Sequence, residues 1–172
     1  GPTNVASRRE SGRGDLAAGF AAADVVVERE FRTPMVHQGY IEPHATVVAT
    51  RENGQADVWC STQGQFAVKS MLSVTLQIDP NLIRVTPSEI GGGFGGKTTI
   101  YLEPIALLLS QVTGKPVMIV HDYVDELMSG NPNQSMIYIL KTGVMNDGTI
   151  VAHSVDHYAN SGAYAGYKPG GA

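Results

Sequence analysis

The chain has 172 residues, 42% hydrophobic and 16% charged, which is too apolar for general disorder and long enough to bury roughly 70% of its unfolded surface. A formal net charge of -4, with 12 Lys plus Arg spread without a stripe, excludes an electrostatic footprint for nucleic acid, and no apolar run reaches the ~18 residues of a membrane span. The single cysteine, Cys60, excludes an intrachain disulfide and a cysteine-built metal site, and it points to a reducing, cytoplasmic setting.

In chain order, GPTNVASRRESGRGD carries no period and reads as a disordered arm over 1-15, with Gly1-Pro2 as an expression scar, so the folded domain is expected over 16-172. ADVVVEREF, Ala23 to Phe31, places Val25, Val27 and then Arg29 on one face, which predicts a strand buried at its start and solvated at its end. ATVVATRE and ADVWCST are two short strands around Asn53-Gly54, a strong hairpin signal. Ser61 and Thr62 are placed to cap a helix in which Phe66, Val68, Met71, Leu72 and Leu76 recur at near-helical spacing; Met71, Leu72 and Leu76 read as core, and Pro80 closes the segment. LIRVTP is a strand entering a glycine loop, and EPIALLLSQVTGKP is a helix stopped by Gly114 and Pro116. VMIVH reads as a buried strand and YVDELMSG as a short helical turn ending at Gly130. QSMIYILKTGVM and TIVAHSVDHYANSGAY form a long hairpin around Asn146-Asp147-Gly148. The predicted class is α+β, a mixed sheet with antiparallel hairpins and a few packed helices.

Glycine is in excess, 20 of 172 residues against a usual ~7%, and much of it sits in IGGGFGGKTTIYLEP, Ile90 to Pro104. This loop fits two general patterns. Gly91, Gly96, Lys97 and Thr98 satisfy the phosphate-loop pattern of nucleotide hydrolases, and Gly91, Gly93 and Gly96 satisfy the dinucleotide fingerprint. Both rest on backbone N–H groups that converge on an anion where no Cβ obstructs them. The hydrolase reading gains from Asp122, an acid at the end of an apolar strand that would hold magnesium. Against it, Phe94 stands where φ > 0 would strain a side chain, and Pro104 opposes a helix springing directly from Lys97. The dinucleotide reading lacks an N-terminal βαβ unit around its glycines.

A second motif lies in register with the loop: VWCSTQGQF, Val58 to Phe66, places Gln63 31 residues before Phe94. With HQGYIEPHATV upstream and LEPIALLLSQVTGKPV, NDGTIVA and SGAY downstream, the chain resembles the molybdopterin-binding subunit of the xanthine dehydrogenase, aldehyde oxidase and carbon monoxide dehydrogenase family. The resemblance implies a molybdenum molybdopterin, with the cytosine dinucleotide form left open. It implies iron-sulfur clusters and FAD on other domains or subunits, the remaining domain of the molybdenum subunit as partner, and a small substrate such as an aldehyde or N-heterocycle.

Carried over by position, Gln63 would donate its amide to the oxo ligand, Gly92, Gly93, Phe94, Gly95 and Gly96 would line the cofactor, and the Phe94 ring would wall the substrate side. Thr98 stands where purine-oxidising members carry an acid, which puts a purine substrate in doubt, and Tyr123 stands where an arginine is frequent. The family's substrate arginines and glutamate base are expected beyond residue 172; Glu42, Glu89 and Glu103 do not occupy that position, so the chain alone is expected to be inactive. The competing class is a non-catalytic cofactor carrier or interaction module.

Several residues have plainer readings. Gln63 could cap the following helix, and Lys97 is open between a solvated residue and an anion contact. The spacing of His37 and His44 is not that of an ordinary zinc motif, and His153 and His157 share one face of a surface hairpin. Cys60 reads as a small buried residue without catalytic partners.

Overall fold

A computed structural model describes residues 3–164; the readings of Gly1-Pro2 and of the chain after Tyr164 lie outside them. The described residues form two compact units, one from 3–36 with 134–164, the other from 37–133.

In the first unit, β1 (Val25–Thr33), β6 (Ser135–Val144) and β7 (Ile150–Asn160) form an antiparallel sheet in the order β1-β6-β7. The predicted hairpin closes through Met145, whose carbonyl accepts from Gly148 N–H at 2.9 Å, with Gly148 at φ 90°. Ahead of β1 the sequence reading passed over a short helix, α1 (Leu16–Ala22), capped by Asp15, whose carboxylate accepts from Ala18 N–H at 2.9 Å. The helix lies flush on the sheet: a Cβ at Gly19 would meet the Val151 carbonyl at 2.7 Å, and one at Gly143 would meet Ala23 Cβ at 2.9 Å. Such a narrow cover corrects the expectation for Val25 and Val27. They are exposed, because β1 is an edge strand and the small helix shields only part of the sheet.

The second unit holds the core. β2 (Ala45–Thr50) and β3 (Ala56–Cys60) pair antiparallel around the predicted Asn53-Gly54 turn, and the sheet order is β4-β3-β2-β5, with β4 (Ile83–Pro87) parallel to β3 and β5 (Val117–Val120) antiparallel to β2. The parallel pair requires a crossover, which α2 (Gln65–Leu76) supplies. Val68 and Leu72 of α2, with Ala106 and Leu107 of α3 (Glu103–Thr113), pack on Val48, Ala56, Val58, Cys60 and Ile83. Gly114 stops α3 in the left-handed region at φ 62°.

Three local expectations need correction. Of the residues read as core, Leu72 is buried but Met71 and Leu76 are only partly so, because the apolar stripe of α2 turns on Val68 and Leu72; Phe66, at helical spacing with them, points outward and is 79% exposed. Neither Ser61 nor Thr62 caps α2. Gly64 occupies the cap position, the Ser61 hydroxyl accepts from Ala45 N–H, and the Thr62 hydroxyl donates to the Lys97 carbonyl. β5 is not a buried strand: it is an edge with alternate residues outward, Met118 at 70% exposure.

Candidate functional site

Strand direction gathers four segments at one end of the second unit's sheet. β3 and β4 run parallel with Cys60 opposite Pro87, so the residues following each strand leave the sheet side by side. β2 runs the other way, with Thr46 opposite Cys60, and brings the preceding segment 37–44 to the same end. β5 sets Val120 opposite Ala45 and delivers His121 there, just before α4 (Tyr123–Ser129). Gln63 and the glycine loop, far apart in sequence, therefore meet.

The loop is held from two sides. Gln63 Oε1 accepts from the N–H of Gly95 at 3.0 Å and of Lys97 at 3.2 Å, while Gln63 N–H donates to the Lys97 carbonyl at 2.8 Å. Two N–H donors on Oε1 fix the orientation of the amide, and its NH2 remains uncommitted on an exposed side chain. On the other side Glu42 Oε2 accepts from Gly91 N–H at 2.8 Å and from Lys97 Nζ at 2.6 Å. Inside the loop Gly96 N–H donates to the Gly93 carbonyl at 2.7 Å, and the Thr98 hydroxyl to the Gly95 carbonyl at 2.9 Å. Among the described residues, the N–H groups of Gly92, Gly93 and Phe94 donate to no protein acceptor. The turn depends on left-handed backbone at Gly92 (φ 97°), Phe94 (φ 49°) and Gly95 (φ 86°).

Close packing explains why glycine recurs here. A Cβ at Gly93 would lie 2.6 Å from Gln63 Oε1, and one at Gly96 would lie 2.7 Å from the Tyr40 ring. The Phe94 side chain, 68% exposed, escapes this crowding by pointing outward.

Beneath the loop lies a buried polar cluster. The Glu126 carboxylate accepts from the Tyr40 hydroxyl, from His44 N–H at 2.7 Å, from His44 Nδ1 at 2.7 Å and from His121 Nδ1 at 3.3 Å. Burial pushes the Glu126 carboxyl up, but the bonds from His44 and Tyr40 outweigh it and hold the group at about 2. Burial also holds the His44 imidazole below its usual value against the pull of Glu126, so the ring is neutral, with Nδ1–H on the carboxylate. The carboxyl and imidazole atoms of His44, His121 and Glu126 lie within 4.8 Å of one another. Four donors satisfy the carboxylate within the cluster, whereas the buried Nε2 of His44 has no hydrogen-bond partner among the described residues.

Several sequence readings change, while those of Cys60, His153 and His157 hold. Lys97 is neither solvated nor free to reach an anion; it is fully buried, paired with Glu42 and 4.9 Å over the Tyr40 ring. Phe94 does adopt positive φ, so this residue raises no steric objection to a phosphate loop. The objection from Pro104 stands, because the helix begins at Glu103 with Pro104 in its first turn, well after Lys97. Asp122, the supposed magnesium ligand, caps α4 and accepts from Val124 and Asp125 N–H at 2.8 Å. Gln63 braces the loop; it does not cap α2. Tyr123 donates its hydroxyl to the Tyr40 carbonyl at 2.9 Å. Cys60 is buried, which pushes its thiol up to about 12. His153 and His157 are surface residues, bonded to Thr142 and stacked on Tyr138.

Sequence reasoning missed the roles of Tyr40, Glu42 and Glu126. The signal available was YIEPH entering β2, a strand whose start must lie beside the end of β3 once the Asn53-Gly54 hairpin is assigned.

The chain matches the molybdopterin cofactor-binding domain family over residues 1–171. It is 31% identical over 166 residues to a probable xanthine dehydrogenase subunit of Bacillus subtilis (strain 168), covering 96% of this chain and 22% of that one. It is likewise 31% identical over 169 residues to the nicotinate dehydrogenase large molybdopterin subunit of Eubacterium barkeri, covering 98% and 40%. Among solved structures, quinoline 2-oxidoreductase from Pseudomonas putida 86 superposes with a TM-score of 0.70 at 26% identity over 84% of this chain and 19% of that one. Aldehyde oxidoreductase from Desulfovibrio gigas shares the fold with a TM-score of 0.75 at 23% identity over 85% and 16%. The chain thus spans well under two thirds of the length of these relatives.

Proposed function

The chain belongs to the molybdopterin cofactor-binding domain family, and on that premise we propose that its glycine loop and Gln63 form one wall of the molybdenum centre of a hydroxylase. The observation that carries this reading is the row of uncommitted donors: the N–H groups of Gly92, Gly93 and Phe94 beside the free NH2 of Gln63. These groups fit an anionic, oxo-bearing group, because they donate without carrying charge and glycine lets the backbone approach closely. When bound, such a cofactor supplies two-electron oxidation of a carbon–hydrogen bond with oxygen drawn from water.

The chain's own residues position and select. Gln63, braced on Gly95 and Lys97, holds its amide toward the cofactor side, and the exposed Phe94 ring offers an apolar surface to a substrate. The Thr98 hydroxyl, turned back onto the Gly95 carbonyl, supplies no carboxylate for a purine, which favours an aldehyde or an N-heterocycle of another kind. Proton removal from the oxygen nucleophile, electron transfer through iron-sulfur clusters and FAD, and the remaining cofactor contacts fall to other domains or subunits. These include any contact to a cytosine dinucleotide form. We place the folded cofactor domain over 16-172, with 1-15 as an arm, and expect the isolated chain to be inactive.

The test is metal and pterin analysis of the full-length protein carrying this sequence, with dye-linked oxidation of aldehydes and N-heterocycles. Stoichiometric molybdopterin with turnover supports the reading, and molybdopterin without turnover supports a cofactor carrier. Absence of molybdopterin after expression in a cofactor-producing host overturns both.

A further inference from the structure

We propose that Lys97 serves the anion site indirectly, by cancelling the charge of Glu42, the carboxylate that shapes the glycine loop. The inference rests on the functional reading above.

Glu42 grips the loop at its first residue and through the side chain of its last. Its Oε2 accepts from Gly91 N–H at 2.8 Å and from Lys97 Nζ at 2.6 Å, its own N–H reaches the Gly91 carbonyl at 3.4 Å, and a Cβ at Gly91 would meet Glu42 Cβ at 2.7 Å. A neutral acceptor could make the same bonds. A carboxylate makes stronger ones, and by holding the Gly91 N–H it also sets a negative charge one and two residues from the free amides of Gly92 and Gly93. Left alone, that charge would repel the ligand those amides favour. Lys97 removes the conflict. Its ammonium is fully buried, committed to Glu42 and seated over Tyr40, with no surface through which to touch a ligand. The motif lysine that invites a phosphate-loop reading is thus a counter-charge to a protein carboxylate.

This role has a signature that plain stabilisation lacks, because two variants that break the same ion pair should act oppositely on the anion. Lys97→Met leaves Glu42, whose side chain is 35% exposed, charged and uncompensated beside the site. Glu42→Gln leaves a buried cation there instead. Both should lower Tm. Per folded molecule of full-length protein, Lys97→Met should reduce molybdopterin content about tenfold or more. Glu42→Gln should not reduce it, and the double variant should recover most of it.

Molybdopterin is read by metal analysis and pterin fluorescence, and folded protein by circular dichroism. Wild-type content in folded Lys97→Met, or losses in both single variants that simply follow Tm, would overturn the proposal. If Lys97→Met does not fold, Glu42→Gln decides: retained content per folded molecule supports the proposal, and lost content overturns it. A wild-type protein without molybdopterin overturns the functional reading itself and this proposal with it, whereas a loaded wild type with an equally loaded Lys97→Met overturns this proposal alone.

Discussion

Gln63 has two faces that substitution can separate, an oxygen that braces the loop and an NH2 that is free. Gln63→Ala loses both and should speed amide exchange at Gly95 and Lys97, with a stability loss of about 1–2 kcal/mol. Gln63→Glu keeps the acceptor oxygen and replaces the NH2 with a second oxygen, so exchange at those amides should stay slow while molybdopterin content of the full-length protein falls. Equal exchange in both variants would show that the oxygen does not brace the loop. Gly93 acts on the same side chain: its added Cβ would lie 2.6 Å from Gln63 Oε1, so Gly93→Ala must swing Gln63 away. The double variant Gly93→Ala/Gln63→Ala should then show strong non-additivity in molybdopterin content. Gly95→Ala is the control. Its Cβ meets nothing within 4 Å, but φ 86° disfavours any side chain, so it should cost about 1 kcal/mol of stability and leave Gln63 in place.

At the scale of elements, α4 carries Glu126 into the polar cluster where the starts of β2 and α4 converge, and this makes unfolding by acid a local question. The sign follows from both groups. The Glu126 carboxyl is held at about 2, below its unfolded value of about 4.3, so its contribution is present above that unfolded value and is lost as pH falls toward 2. The His44 imidazole is also held below its unfolded value of about 6.5, so below that pH the unfolded chain takes up a proton that the folded chain refuses. Stability should decline from about pH 6.5 downward and more steeply below about pH 4.3. Glu126→Gln should flatten the lower limb in chemical denaturation; an unchanged slope would remove Glu126 from the account. The absence of a helix springing from Lys97 likewise predicts no thermal shift with ATP and magnesium, where binding at 100 times Kd would add about 2.7 kcal/mol.

Most elements could be read from the sequence because their signals are local: Asn53-Gly54 and Asp147-Gly148 set hairpins, and Gly114 with Pro116 stops a helix. The Gln63 and glycine motifs were legible by their register. Burial was legible only in part: Leu72 and Cys60 are buried as read, but Val25, Met118 and Phe66 face outward because exposure depends on what other elements cover, which no local period records. Lys97 was misjudged for the same reason, since its partner Glu42 lies 55 residues earlier.

For the whole molecule, the division into units makes a further prediction. The second unit is one continuous stretch, 37–133, with its own core, whereas the first is assembled from two separated pieces. A protein of residues 37–133 should fold alone, with dispersed amide resonances and slow exchange at Val48 and Val58; a collapsed spectrum would show that the core needs the other sheet. The same division sets an order of events during synthesis. β1 pairs along its whole length with β6, Val25 opposite Val144, so it leaves the ribosome 119 residues before its last partner exists. At about 5–20 residues per second that is a wait of roughly 6–24 s. Throughout it, a strand carrying Val25, Val26, Val27 and Phe31 has unpaired backbone on both sides while the intervening unit completes itself. A nascent chain in this interval is a natural client for a holding chaperone, and slowing translation across 37–133 should raise the insoluble fraction more than slowing it after Asn160.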